Sequence, residues 1–193
     1  MFIQTENTPN PATLKFLPGQ TVLKAGTAEF KTPEDAADAP LVQRLFTLQG
    51  VSGVLLGDDF VAVSKAEDTD WSMLKPMVLG ALMEHFSTGQ PVLLESAAQR
   101  LEAGQAASEG DHSADDDEIV TQIKVLLAER VRPSVMMDGG DIEFESFEEG
   151  VVYLRMRGAC SGCPSATMTL KSGIENMLKH FIPEVVEVRS VPG

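Results

Sequence analysis

The sequence predicts an α+β fold made of two small α/β sandwich domains joined by a flexible acidic linker. The chain has 193 residues, 43% of them hydrophobic, which is enough for one sizeable core or two small ones. Residues 96–117 interrupt this composition with Ala, Gln, Gly, Ser and six carboxylates against the single Arg100. Strand-like and helix-like patterns alternate on either side of this segment. We therefore expect domains over residues 1–95 and 118–193, with the linker over residues 96–117, in which residues 96–101 are still able to continue a helix.

The first domain begins with strand patterns and ends with a helix. Short strands are predicted over residues 2–5 and 13–16, because the run Asn7-Thr8-Pro9-Asn10-Pro11 between them favours a turn. The remaining predicted elements are a helix that Asp38 and Pro40 begin, a hairpin with strands over 51–56 and 60–63, and a helix from Trp71 to about residue 86 that Asp70 caps.

The second domain is predicted to contain a helix, a hairpin, a second helix and a last strand. An apolar stripe marks the first helix and consists of Val120, Ile123, Leu127 and Val131. Pro133 and the turn Asp138-Gly139-Gly140-Asp141 then lead the chain into a hairpin over residues 142–147 and 151–157. Pro164 begins the second helix, and residues 185–191 alternate as the last strand. The core face of the second helix is predicted to consist of Leu170, Ile174, Met177, Leu178 and Phe181.

The two cysteines of the chain, Cys160 and Cys163, stand in one Cys-Ser-Gly-Cys-Pro run. Two cysteines placed at random in a chain of this length would fall three apart only about 1% of the time, which favours joint chemistry over two buried free thiols. The run lies between a predicted strand and a predicted helix, where free backbone N–H groups and the helix dipole favour thiolate over thiol. We therefore predict that Cys160 and Cys163 are metal ligands.

The number of sulfur atoms predicts a dimer. An all-cysteine iron–sulfur cluster or zinc site takes four sulfurs, and one chain carries two. We therefore predict a homodimer around a two-fold axis, with Cys160 and Cys163 of each protomer facing one shared metal centre. Two alternatives stay open: a thiol–disulfide oxidoreductase, which shares the strand–CxxC–helix context, and a structural zinc site between two protomers. No cluster of nucleophile, base and metal ligands is visible in the first half, so we predict no catalytic residue.

The wider sequence resembles a known family in both halves. The motifs Arg132-Pro133, Asp138-Gly139-Gly140-Asp141-Ile142 and Gly158-Ala159-Cys160-Ser161-Gly162-Cys163-Pro164-Ser165 resemble the C-terminal domain of NifU, as found in the Nfu proteins. The first half is similar to the N-terminal domain of the Nfu type found in mitochondria and many bacteria. It carries that likeness in Thr8-Pro9-Asn10-Pro11, Leu14-Lys15-Phe16, Pro18-Gly19 and Trp71 followed by Lys75-Pro76.

The resemblance implies an iron–sulfur cluster scaffold or carrier that is not an enzyme. Such a protein would assemble or receive a [4Fe-4S] cluster on the Cys160 and Cys163 thiolates of a dimer and deliver it to apo-proteins. An upstream cluster-assembly scaffold would act as the donor. Typical recipients in the family are aconitase-like enzymes and radical enzymes such as lipoyl synthase.

The net charge of the chain and its expected cellular compartment exclude several other kinds of partner. The net charge of −14 repels phosphate backbones and acidic membrane surfaces, so we predict neither nucleic-acid nor membrane binding. The first ten residues lack the positive and apolar segments of a signal peptide. A reducing compartment also makes a metal site a better interpretation of the cysteine pair than a structural disulfide. We expect a bacterial cytoplasmic protein, or a mitochondrial matrix protein if the chain is a processed one.

Overall fold

Two β-sheets, each with its own helices, organise the chain. The computed structural model describes residues 2–24, 26–106, 114–161 and 164–191. Within these ranges the elements form two small α/β domains, so the predicted fold class is confirmed. None of the described helices combines the length and the apolar character needed to cross a bilayer.

The first sheet is antiparallel and has five strands. They are β1 (Gln4–Asn7), β2 (Thr13–Leu17), β3 (Ala28–Phe30), β4 (Val51–Leu56) and β5 (Val61–Lys65), in the spatial order β1-β2-β5-β4-β3. Helices α1 (Pro40–Phe46) and α2 (Trp71–Thr88) belong to the same domain, and their buried side chains share one core with those of the sheet. The sequence patterns did not predict β3, because three residues are too few to show the alternation of a strand.

The two helices of the first domain begin differently from one another. Asp70 caps α2 as predicted, since its carboxylate accepts a hydrogen bond from the Ser72 amide at 2.7 Å. Asp38 does not cap α1: the N-cap residue is Ala39, which makes no side-chain cap hydrogen bond. The Asp38 carboxylate instead pairs with the guanidinium of Arg100. The predicted cap of α1 is therefore wrong, because Asp38 contacts a residue of the predicted linker instead.

The predicted linker is largely helical where the structure describes it. Helix α3 (Glu95–Ala106) enters the segment from its start, and α4 (Ala114–Leu126) begins before the segment ends. Residues 107–113 lie outside the described residues, so the flexibility predicted for them stays a prediction. Ala, Gln and Glu are good helix formers, and Arg100 adds a hydrogen bond from its Nε to the Ser96 carbonyl at 3.1 Å. The segment therefore holds more local structure than the extended chain that we expected.

The second domain has a three-stranded sheet of mixed direction. From α4 the chain continues through a π-helical turn (Leu127–Val131) into α5 (Arg132–Met137), β6 (Gly140–Glu148), β7 (Val151–Gly158), α6 (Pro164–Phe181) and β8 (Glu187–Val191). Strand β7 lies in the middle, antiparallel to β6 and parallel to β8. The predicted apolar stripe is confirmed, because Val120, Ile123, Leu127 and Val131 are all buried in the core of this domain.

Two predictions for the second domain were wrong. We expected the chain to leave the helix at Pro133, but Pro133 lies in the first turn of α5, directly after the π-helical turn. Phe181 was assigned to the core face of α6, yet its side chain is 47% exposed. The Phe181 ring instead lies beside the guanidinium of Arg130, whose Cζ is 5.1 Å from the ring centroid.

The sheet of the first domain is covered on both faces. Strand alternation points Val54 and Val63 into the main core of this domain, and it points Leu55 and Ala62 to the opposite face. That opposite face packs against the second domain in a small cluster. The cluster consists of Leu55, Phe60 and Ala62, with Leu17 and Met136 packed against them. The two domains are therefore in contact through one face of the five-stranded sheet.

Candidate functional site

Cys160 lies in the turn between β7 and α6, where the sequence placed it. The turn leaves β7 at Gly158, whose φ of 60° is a conformation that glycine adopts readily. The Ser161 amide donates to the Gly158 carbonyl at 3.0 Å, and the Thr167 hydroxyl on α6 donates to the Cys160 carbonyl at 2.9 Å. The backbone of the turn is thus held by both flanking elements. Gly162 and Cys163 lie outside the described residues, so the ligand role of Cys163 stays a prediction.

A neighbouring glycine makes room for the Cys160 sulfur. Gly140 pairs with Gly158 across β6 and β7. A Cβ on Gly140 would stand 2.5 Å from Cys160 Sγ, closer than real Cβ atoms approach other atoms, and 3.0 Å from the Arg157 carbonyl oxygen, which is a tight contact. The Gly-Gly turn that we interpreted as structural therefore also forms part of the sulfur's immediate surroundings.

A cavity of about 420 Å³ adjoins Cys160. Its described lining includes Val135 and Asp138 from the segment before β6, Thr169 and Leu170 from α6, and Pro9 from the first domain. The lining is largely apolar with a few polar groups, which is the usual character of a protein binding site. The cavity gives the thiol a space that a group larger than water can enter.

The thiol of Cys160 is protonated at neutral pH in this arrangement. Burial raises the pKa of Cys160 to about 12, and the negative charges of Asp138 and Asp141 add to this effect. This corrects the prediction that N–H groups and the helix dipole favour the thiolate here. The Cys160 side chain is only 8% exposed, and in such surroundings desolvation outweighs the partial charges of a helix end. A metal must therefore displace the thiol proton in order to bind.

Asp141 anchors the segment that leads to Gly140. Its carboxylate is 1% exposed and accepts from Arg132 Nε at 2.9 Å, from an Arg132 terminal nitrogen at 3.0 Å and from the Ile142 amide at 2.8 Å. The hydrogen bonds to Asp141 raise the pKa of Arg132, so the guanidinium stays charged. This fork-to-carboxylate pair fixes the start of α5 relative to β6. It accounts for two of the residues in the family-like motifs.

Residues of the first domain reach the Cys160 turn, which the sequence did not predict. The Gly158 amide donates to the Glu29 carboxylate at 2.8 Å, and the Asn10 side-chain amide donates to the Ser161 carbonyl at 3.2 Å. The only available signal was the Asn7–Pro11 run, which we interpreted as a turn alone. Glu29 had no sequence signal, because its strand was itself not predicted.

The two arginines of the β6–β7 hairpin pair with carboxylates. Arg155 contacts Glu145 at 2.8 Å and Arg157 contacts Glu143 at 2.6 Å across β6 and β7. These pairs fit a solvated face of the hairpin better than a role at the thiol. Within the described ranges, no group of three or more His, Cys, Asp or Glu side chains is placed to hold a metal ion.

Comparison with known proteins identifies the family. A family model described as "Scaffold protein Nfu/NifU N terminal" matches residues 3–89, and one described as "NifU-like domain" matches residues 123–189. The chain is 46% identical over 192 residues to the human "NFU1 iron-sulfur cluster scaffold homolog, mitochondrial", covering 99% of this chain and 72% of that protein. The chain belongs to the Nfu family of iron–sulfur cluster scaffold proteins.

Plant Nfu relatives give a similar result. The chain is 49% identical over 187 residues to the Arabidopsis thaliana "NifU-like protein 4, mitochondrial", which covers 96% of this chain and 64% of that protein. It therefore spans about two thirds of the length of the first curated Nfu relatives that it matches. A solution structure of a NifU-like protein from Saccharomyces cerevisiae is 25% identical, with a TM-score of 0.45 over 49% of this chain and 86% of that chain.

Proposed function

We propose that two copies of this chain bind a [4Fe-4S] cluster between them through the thiolates of Cys160 and Cys163, and that they transfer it to apo-proteins. The observation that carries the proposal is the Cys160 turn itself. It offers a thiol beside an open cavity in a chain of a cluster-scaffold family. One chain supplies two sulfurs, and a cluster of this type takes four, so a second copy completes the site.

The residues around Cys160 suit cargo that is held and then released. Gly140 leaves space beside the sulfur, and the hydrogen bond from Thr167 ties the turn to α6. The high pKa of Cys160 returns the sulfur to its protonated form once the metal has left. A ligand that regains a proton after release competes less for the cluster than a stable thiolate would. This property favours transfer over permanent storage.

The partners follow from the carrier role. The human relative is named a scaffold homolog, which supports a carrier rather than an enzyme. A donor scaffold upstream and apo iron–sulfur enzymes downstream, such as aconitase-like enzymes and lipoyl synthase, are the proposed partners. The Arabidopsis thaliana and human relatives are named as mitochondrial, which favours a mitochondrial location over a bacterial cytoplasm.

The structure bears on the oxidoreductase alternative. Thioredoxin-type cysteines need a lowered pKa to act as nucleophiles at neutral pH. Burial raises the pKa of Cys160 instead, which opposes that chemistry. A zinc site between two copies would use the same sulfurs, so metal analysis distinguishes it from the iron–sulfur cluster.

The test is anaerobic reconstitution of the reduced full chain with iron and sulfide. We expect a brown dimer with about four irons per two chains, and loss of nearly all the iron in both Cys160→Ser and Cys163→Ser. Met168→Ser is the matched control, because it introduces serine at a 69% exposed position of α6 and should retain the cluster. Iron content, visible absorption and sedimentation are measured. Colourless zinc-loaded protein, or a full iron content in either cysteine variant, would contradict the proposal.

A further inference from the structure

Contacts between the two domains concentrate on the Cys160 turn. The Glu29 carboxylate accepts from the Gly158 amide at 2.8 Å, where the turn begins. Beyond Cys160, the Asn10 side chain donates to the Ser161 carbonyl at 3.2 Å. Both hydrogen bonds are made to backbone atoms of the turn, and Asn10 is itself buried. The first domain therefore forms hydrogen bonds with the turn on both sides of Cys160.

A second pair of contacts holds the segment that supports the turn. The Thr27 hydroxyl donates to the buried carboxylate of Asp141. The Lys15 ammonium donates to the Met137 carbonyl at 3.1 Å. Thr27 and Asp141 are both buried, so the first of these contacts is shielded from water. These four hydrogen bonds join the two domains at and beside the Cys160 turn.

Apolar packing supports the same interface. Gly158 lies so close to the first domain that a Cβ on it would stand 2.5 Å from Leu55 Cδ2. Leu55 is 1% exposed and belongs to the small cluster that joins the domains. The face of the first sheet that carries Leu55 and Glu29 is therefore shaped to the backbone of the turn. We call the contact made by Asn10, Thr27, Glu29 and Leu55 the clasp.

We propose that the clasp is an intramolecular docking surface whose occupant is the Cys160 turn, and that it must release before two copies can share a cluster. This inference rests on the proposed function. In this proposal the first domain holds the Cys160 turn in a docked state. A chain whose turn is docked cannot share a cluster with a second copy, so cluster loading requires release of the turn.

Space is the first reason why docking and sharing exclude one another. Cys160 is 8% exposed in the docked state, and Pro9 of the first domain lines the cavity that the sulfur faces. The thiolates of a second copy must approach through that cavity, because four sulfurs surround one cluster. The first domain therefore occupies part of the space that the second copy requires.

Charge is the second reason. An iron–sulfur cluster with four thiolate ligands carries net negative charge, and backbone amides that point at its sulfurs stabilise it. In the docked state Glu29 places a carboxylate on the Gly158 amide, so this donor is already used. Release of the clasp frees this amide to donate to the cluster.

The test compares full-length variants that weaken the clasp at independent points. The variants are Glu29→Ala, Asn10→Ala and Thr27→Val, with Glu34→Ala as the control, because Glu34 is an exposed carboxylate of the same domain. Each chain is first checked by circular dichroism, then reconstituted anaerobically with iron and sulfide over a range of protein concentrations. Sedimentation gives the dimer fraction, and hydrogen exchange at residues 158–161 of the iron-free chain gives the extent of release.

We expect each clasp variant to show faster exchange at residues 158–161 and to form the cluster-loaded dimer at about tenfold lower protein concentration than the wild type. Glu34→Ala should match the wild type in both measurements. Agreement among the three variants would locate the effect in the interface, since they weaken different contacts. If the variants formed the cluster-loaded dimer at the same protein concentration as the wild type, or at a higher one, the clasp proposal would be wrong. A higher concentration would show that the contacts position the turn for metal binding. If the wild type itself holds no cluster, the proposed function fails first.

Discussion

At the scale of single residues, the Cys160 site depends on the missing side chain of Gly140. In Gly140→Ala the new Cβ would stand 2.5 Å from Cys160 Sγ and 3.0 Å from a backbone carbonyl, so the sulfur and the strand must shift apart. We expect iron content after reconstitution to fall at least severalfold. The free energy of unfolding should fall by about 1–3 kcal/mol, which is typical of overpacking. Metal analysis and urea unfolding measure the two effects.

Gly173→Ala is the matched control for this substitution. Gly173 lies on α6 as Gly140 does on β6, but a Cβ at Gly173 would meet no atom within 4 Å. Alanine in an exposed helix position should add up to about 1 kcal/mol of stability and leave iron content unchanged. If Gly140→Ala retained the iron content of Gly173→Ala, the sulfur would not need the space that the glycine leaves.

Some features of the Cys160 site could be predicted from the sequence and others could not. Cys160 was found because two cysteines three apart are rare by chance, and its position between a strand and a helix was predicted correctly. Its protonated state was not predicted, because burial and the charges of Asp138 and Asp141 arise from tertiary packing. Asn10 and Glu29 lie more than a hundred residues from the turn in sequence. No local pattern contains such contacts.

At the scale of elements, the patterns were most informative where one face of an element is buried. The alternation of β7 and the apolar stripe of α4 were predicted correctly, because each presents one buried face to its own domain. The runs of β4 and β5 are apolar on both faces, since Leu55 and Ala62 meet the second domain. Continuous apolar strands of this kind indicate that a sheet is covered on both sides. That signal was present in the sequence and could have predicted that this face of the sheet is covered.

Helix α2 carries a buried histidine that should make stability depend on pH. Burial, followed by the charge of Arg44, lowers the pKa of His85 below its ordinary value of 6.5. The unfolded chain therefore takes up this proton at a higher pH than the folded chain does. The stabilising contribution is complete above pH 6.5 and is lost as pH falls towards the folded pKa, by about 1.4 kcal/mol per pH unit. Urea unfolding of the iron-free chain between pH 7.5 and 5.5 measures it.

His85→Phe should remove this part of the acid dependence, because the aromatic ring stays and the titratable group is lost. His180→Phe is the control, since it makes the same replacement at an exposed position near the end of α6. If the free energy of unfolding depended on pH in the same way in the wild type and in His85→Phe, His85 would not be the group responsible for the acid dependence.

At the scale of the whole molecule, the chain has two main cores and one small cluster between them. The main cores belong to separate domains, which is why local patterns predicted two units. The cluster between them is small beside either core, so the domains are joined mainly by a few polar contacts at the Cys160 turn. An interface of this kind can hold a turn in one state and still release it at low cost. The sequence patterns predicted that there are two domains. The contacts between the domains join residues far apart in the sequence, so no single segment predicts them.

Leu55 tests how far this interface couples the two domains. Leu55→Ala removes a side chain that is 1% exposed and contacts Gly158, and it should cost about 2–4 kcal/mol. Because the side chain belongs to neither main core, we expect exchange at residues 158–161 to rise, and the thermal transitions of the two domains to separate. Leu45→Ala is the control: it is equally buried, but it lies on α1 in the first core, so it should destabilise that domain and leave exchange in the turn unchanged. Equal exchange in the two variants would mean that stability of the first domain, rather than the interface, protects the Cys160 turn.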